Sequence, residues 1–77
     1  MSNKESPHDV KAPIGVGELA SLYRPHASAS TARKWLWMVV RHIPGLMDEL
    51  KRLGYRKHQK LFTPAQVEAI IKGIGGP

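Results

Sequence analysis

Three prolines, Pro25, Pro44 and Pro64, constrain this chain more than any other residues. A proline lacks a backbone donor and pushes the residue before it out of helical geometry, so it ends helices or starts them. Between these marks the apolar residues recur every three or four positions, the period of a helix with one buried face. The expected elements are therefore short helices with abrupt boundaries.

The first helix runs to Tyr23, with apolar residues at Val16, Leu19, Ala20 and Tyr23, and stops at Arg24 because Pro25 follows. A second begins near Ser28 or Ser30, either of which can cap free backbone N–H groups through its hydroxyl. Its apolar series is Ala32, Trp35, Leu36, Val39, Val40 and Ile43, and Pro44 closes it. The third spans about Gly45 to Leu53 with Leu46, Met47, Leu50 and Leu53 inward. Asp48 and Glu49 come early in it and Lys51 and Arg52 late, the order a helix dipole favours, and Gly54 suits the left-handed position past its end. Tyr55 to Phe62 then reads as two short strands joined by a basic turn, a β-hairpin. Thr63-Pro64-Ala65-Gln66 opens the last helix with a capping box and a proline in the first helical position. Val67, Ile70, Ile71 and Ile74 form its apolar stripe, and a Gly-rich end with Pro77 stops it.

Size limits what such a chain can hold. With 77 residues it is one small domain, and chains of that length bury only roughly 60% of their unfolded surface. There is no cysteine, so neither a disulfide nor a thiolate metal site can reinforce it. Residues 1–13 are polar and aperiodic and are expected to form a flexible tail, leaving 14–77 as the domain.

Charge narrows the partners. Lys and Arg exceed Asp and Glu by 12 to 6. Between Arg24 and Lys60 nine basic residues face only Asp48 and Glu49, a local net charge of +7. Such a surface attracts polyanions, nucleic acid first among them, although a merely solvated basic face has the same composition.

Two short helices joined by a tight turn describe a helix-turn-helix, and a basic hairpin after them is placed like a wing. The expected fold is mainly α with a short β-hairpin, a small winged helix-turn-helix-like domain of about four helices. The second helix is then the recognition helix. Its apolar series faces inward, which leaves Ser30, Arg33, Lys34, Trp37 and Arg41 pointing out. Trp37 lies about 100° around the helix from Leu36 and about 200° from Trp35. Trp35 is thus assigned to the core and Trp37 to the surface, the alternative being that Trp37 is partly covered by the tail or the hairpin. Arg33 and Lys34 suit phosphates and guanine edges, while Arg56, Lys57 and Lys60 suit backbone phosphates. The expected partner is double-stranded DNA. A competing expectation is a protein partner or weak self-association through an exposed Trp37.

The segments GELASLY, TARKWL and LKRLGYRKHQKLFTPAQVEAIIKGIGGP resemble a family of short, uncharacterised bacterial proteins running from an ELA-x-x-Y helix to a TP-x-QV helix that ends in Gly and Pro. The likeness covers Gly17 to Pro77 and implies no activity. Gly17 to Ala20, Ser28 to Lys34 and Gly54 to Arg56 are also similar, more loosely, to the winged helix-turn-helix of MerR-type regulators and phage excisionases. That second resemblance implies DNA contacts at Thr31, Arg33, Lys34, Arg56 and Lys57. The MerR-type coiled coil and effector domain have no counterpart in these residues, which favours an excisionase-like or accessory role in transcription or mobile-element control.

Other classes find little support. His8, His26, His42 and His58 are dispersed, so no metal or other cofactor is expected. No nucleophile elbow or carboxylate pair suggests an enzyme. The longest apolar run, Trp35 to Val40, is too short to span a bilayer. The first residues lack the apolar stretch of a signal peptide, and a cytoplasmic location is expected.

Overall fold

The computed structural model describes residues 12–77. The tail expected over residues 1–13 thus lies, except for its last two positions, outside the described residues. The chain forms β1 (Ile14–Gly15), α1 (Val16–Tyr23), α2 (Ala29–His42), α3 (Leu46–Arg52), β2 (Leu61–Phe62) and α4 (Pro64–Ile74). Among the described residues it is mainly helical, with four helices and one antiparallel pair of two-residue strands.

Local chemistry sets most of these boundaries. Gly15 N–H donates to the Glu18 carboxylate at the start of α1, and the backbone turns at once through Pro25. Ser28, not Ser30, caps α2: its Oγ accepts from Thr31 N–H at 3.2 Å. Pro44 leaves Ile43 extended, with its N–H still bonded to the Val39 carbonyl. At the end of α3, Tyr55 N–H reaches the Leu50 carbonyl at 2.8 Å and Gly54 N–H reaches Lys51 at 3.0 Å. This double closure needs a left-handed residue, and Gly54 supplies it at φ 94°. Thr63 and Gln66 form the reciprocal cap of α4 around Pro64.

The helices close over a core in which each contributes one narrow stripe. Leu19 and Ala20 come from α1, while Ala32, Leu36 and Val40 repeat every four residues along α2. Leu46 and Leu50 of α3 and Val67, Ile70 and Ile71 of α4 complete it, with Phe62 fully buried among them. Chain passes closely at Gly17, where an added Cβ would lie 3.4 Å from Cδ of Arg33. Helix α1 can therefore sit against the aliphatic stem of that arginine. No helix among the described residues is long and apolar enough to cross a membrane.

Three expectations need correction. The strand pair is not a hairpin of the 55–62 segment: Ile14 pairs with Phe62 and Gly15 with Leu61. Residues 54 and 55 are already used in closing α3, and Val16 N–H bonding to the Lys60 carbonyl at 3.1 Å draws in the segment before α1 instead. Trp35 is not core. It is half-buried, tilted against Tyr23 at 5.7 Å and covered by Arg24. Trp37 takes the alternative kept open for it: it is half-buried, with Tyr55 and Phe62, the ends of the segment expected as the hairpin, covering part of its ring. Val39, Ile43, Met47, Leu53 and Ile74, all expected inward, are half-buried, since small helices leave the flanks of their apolar faces uncovered.

Candidate functional site

On α2, Arg33, Trp37 and Arg41 follow at four-residue steps and so form one stripe, each about 6 Å farther along the helix axis. Ser30 and Lys34 form the neighbouring stripe. Opposite the first stripe stands the segment after α3. Gly54 reverses the chain, and Tyr55 follows in the position that folds back onto the helix end.

Residues 56–59 make a tight turn closed by Gln59 N–H on the Arg56 carbonyl at 3.0 Å. Its third residue, His58, has φ 70°, the geometry in which a type II turn favours glycine. The amide of Gln59 fixes this turn from below. Its Oε1 accepts from Arg56 N–H at 3.0 Å, and its Nε2 donates to the Leu61 carbonyl and to Gln66 Oε1. Gln66 has no exposed surface at all. Its oxygen also accepts from Thr63 N–H at 2.9 Å, and its own Nε2 donates to the Leu53 carbonyl at 3.3 Å. A buried side chain with every polar group satisfied gives the turn a rigid base.

Between the stripe and the turn lies an open cleft of about 260 Å³. Arg33, Trp37 and Arg41 line it from α2, and Tyr55, Lys57 and His58 from the turn segment, with Val16, Met47 and Gln59 completing it. The Trp37 ring sits 5.3 Å from Tyr55 and 5.7 Å, edge-on, from buried Phe62. Such tilted and edge-to-face pairs favour rings in fixed positions. Trp37 is also the partition to a second hollow of about 230 Å³, lined by Ser30, Arg33, Lys34 and Trp37. Another hollow, of about 400 Å³, lies elsewhere, along Tyr23 to Ala27.

Electrostatically the cleft is one-sided. Among the described residues the ion pair present joins Arg52 to Glu49 on α3, and no carboxylate meets Arg33, Lys34, Arg41 or Lys57. Arg52's hydrogen bond holds the Glu49 carboxyl below the usual carboxylate range against desolvation, with the charges of Arg52 and Lys72 adding to it. Among the described residues no three His, Asp or Glu side chains gather to hold a metal ion.

The expected site residues thus divide. Arg33, Trp37, Arg41 and Lys57 meet in one cleft. Ser30 and Lys34 face the adjoining hollow. Thr31 is exposed but takes part in the α2 cap, its Oγ1 accepting from Ser28 at 3.0 Å. Arg56, which opens the turn, and Lys60, which follows it, are exposed and do not line the cleft. Tyr55, Met47, His58 and Gln59 join the site without having been expected there. For Tyr55 a signal existed, since the residue after a helix-closing glycine regularly packs back on the last turn.

A family described as a domain of unknown function, DUF4248, matches residues 11–77. No curated protein and no solved structure matches the chain.

Proposed function

This chain belongs to the DUF4248 family, and we propose that it is a DNA-binding module that lays α2 in the major groove of a duplex. The observation that carries this reading is the convergence of Arg33, Arg41 and Lys57, from two separate elements, on a cleft without an acidic partner among the described residues. Cations held close together repel one another, and an external polyanion relieves that repulsion. The 14 residues of α2 reach about 21 Å, and a single helix fits a major groove about 12 Å wide. Helices α1 and α2 follow one another across residues 24–28, the order of elements that a helix-turn-helix uses. We read the cationic turn beside α2 as the counterpart of a wing, although no hairpin supports it. On this reading the chain serves as an excisionase-like or accessory factor in transcription or mobile-element control.

A protein-binding role centred on Trp37 has less to draw on, since Tyr55 and Phe62 already occupy part of that ring.

A gel-shift series on random duplexes tests the proposal. With about four phosphate contacts, affinity should fall roughly 100-fold between 50 and 200 mM salt. Arg33→Ala with Lys34→Ala should weaken binding far more than Lys4→Ala with Lys11→Ala. Equal losses from both pairs would reject α2 as the recognition helix. No binding to any duplex at 50 mM salt would reject the DNA reading itself.

A further inference from the structure

Resting on that DNA-binding reading, we infer that Trp37 divides the contact surface into two parts. The cleft on its turn side seats the sugar-phosphate backbone of one strand, and the hollow holding Ser30 and Lys34 carries the sequence preference.

The side chains on the two sides of the indole differ in what they can recognise. The turn side offers Arg33, Arg41, Lys57 and His58 around the rings of Trp37 and Tyr55. Lys and Arg carry donors and no acceptor, so they match a phosphate, which has only acceptors. The ring faces are apolar and flat, and they suit the carbon face of a deoxyribose rather than the edge of a paired base. Arg33 and Arg41 could also bond guanine O6 and N7, but Arg41 lies in the last turn of α2 and Lys57 outside that helix, away from the N-terminal part that meets base edges. The fit is also rigid. Trp37 is fixed by Tyr55 and Phe62, and the turn is fixed by Gln59 and the buried Gln66.

The other side has a different inventory. The Ser30 hydroxyl both donates and accepts, and Lys34 donates, a combination able to read acceptors such as guanine O6 and N7. Both residues lie in the first half of α2, and the N-terminal part of a recognition helix is the part that meets base edges. Arg33 lines both hollows, and its stem lies against Gly17 of α1. It is the one cation shared by the two hollows and should contribute to both functions.

Selection of enriched duplexes, run beside salt titrations, separates the two roles. Arg41→Ala and Lys57→Ala should each lower affinity for all sequences alike and flatten the log–log salt slope by about 0.9, with the enriched sequence unchanged. Ser30→Ala and Lys34→Ala should instead relax preference at one or two positions, by roughly fivefold or more at each. Arg33→Ala should do both. In a Trp35→Phe background, duplex binding should change the fluorescence of Trp37, the only indole left. Circular dichroism verifies that each variant is folded, and Arg41→Gln and Lys57→Gln replace any alanine variant that is not. A shifted sequence preference in the Arg41 or Lys57 variants would overturn the division while leaving DNA binding in place. So would an unchanged preference in Lys34→Ala, a selection that enriches no sequence, or an unresponsive Trp37. Failure of the unmodified chain to bind any duplex would instead remove the underlying reading, and the division with it.

Discussion

Trp35 and Trp37 sit two residues apart on one helix, each half-buried and each beside a tyrosine and arginines, yet their surroundings are put together differently. Around Trp35 the polar groups find partners within the chain. Arg24 lies over the ring at 5.3 Å, and the Tyr23 hydroxyl beside it donates to the Gly75 carbonyl. Around Trp37 the aromatic contacts are filled by Tyr55 and Phe62, while the cations at the rim meet no carboxylate of the described residues. An arginine near an aromatic ring therefore does not by itself mark a binding surface. What separates the two regions is whether the charge already has an internal use.

The largest way to break this contrast is Phe62→Ala. Phe62 is fully buried and supports Trp37, and its removal should cost about 3–5 kcal/mol. Urea unfolding would measure that loss, and partial folding should survive best on the α1–α2 side around Trp35. If Trp37 kept its native near-ultraviolet signal in this variant, Phe62 would not be what positions it.

Tyr23→Phe probes the other region. Losing the hydroxyl bond to Gly75 should cost about 1 kcal/mol and leave the Trp37 side unchanged. The same tyrosine gives a pH signature. Burial raises its pKa above the ordinary value of 10.0, so its stabilising neutral form is fully present below pH 10 and is lost as pH rises through the raised value. Thermal melts should show an alkaline loss of stability in the unmodified chain that is smaller in Tyr23→Phe.

The smallest effect sharpens the comparison. His58→Gly should relieve about 1–2 kcal/mol of left-handed strain against about 0.5–1 kcal/mol of added chain entropy. The net gain of about 0.5 kcal/mol would be confined to the cationic turn and be visible as a small rise in denaturation midpoint. A destabilised variant would mean that the His58 side chain contributes contacts outweighing its strain.

The helices were legible because their signals are local. The Thr63–Gln66 cap, Pro64, the Pro44 stop and Gly54 each act within a few residues, and each falls where the sequence places it. The strand pairing was not legible. Ile14 meets Phe62 from the far end of the chain, and two-residue strands carry no usable alternation. The tryptophans were only partly legible for a related reason. Helical spacing gives the direction of a side chain but not what arrives from elsewhere to cover it, and Tyr55 and Phe62 come from beyond α3. Half of the candidate site was readable as a stripe on α2. The opposing half depended on a turn held by Gln59 and Gln66, a pair with no sequence signature.

The Tyr23–Gly75 bond and the Ile14–Phe62 pairing both join distant parts of the chain, the former across 52 residues. During synthesis neither can form until Phe62, and then Gly75, have left the ribosome. Helix α1 thus waits, largely unsupported on that side, while residues 24–61 are made. Loop-closure entropy of this kind slows folding more than it lowers final stability, so the domain should mature late and cooperatively rather than grow from its first helix.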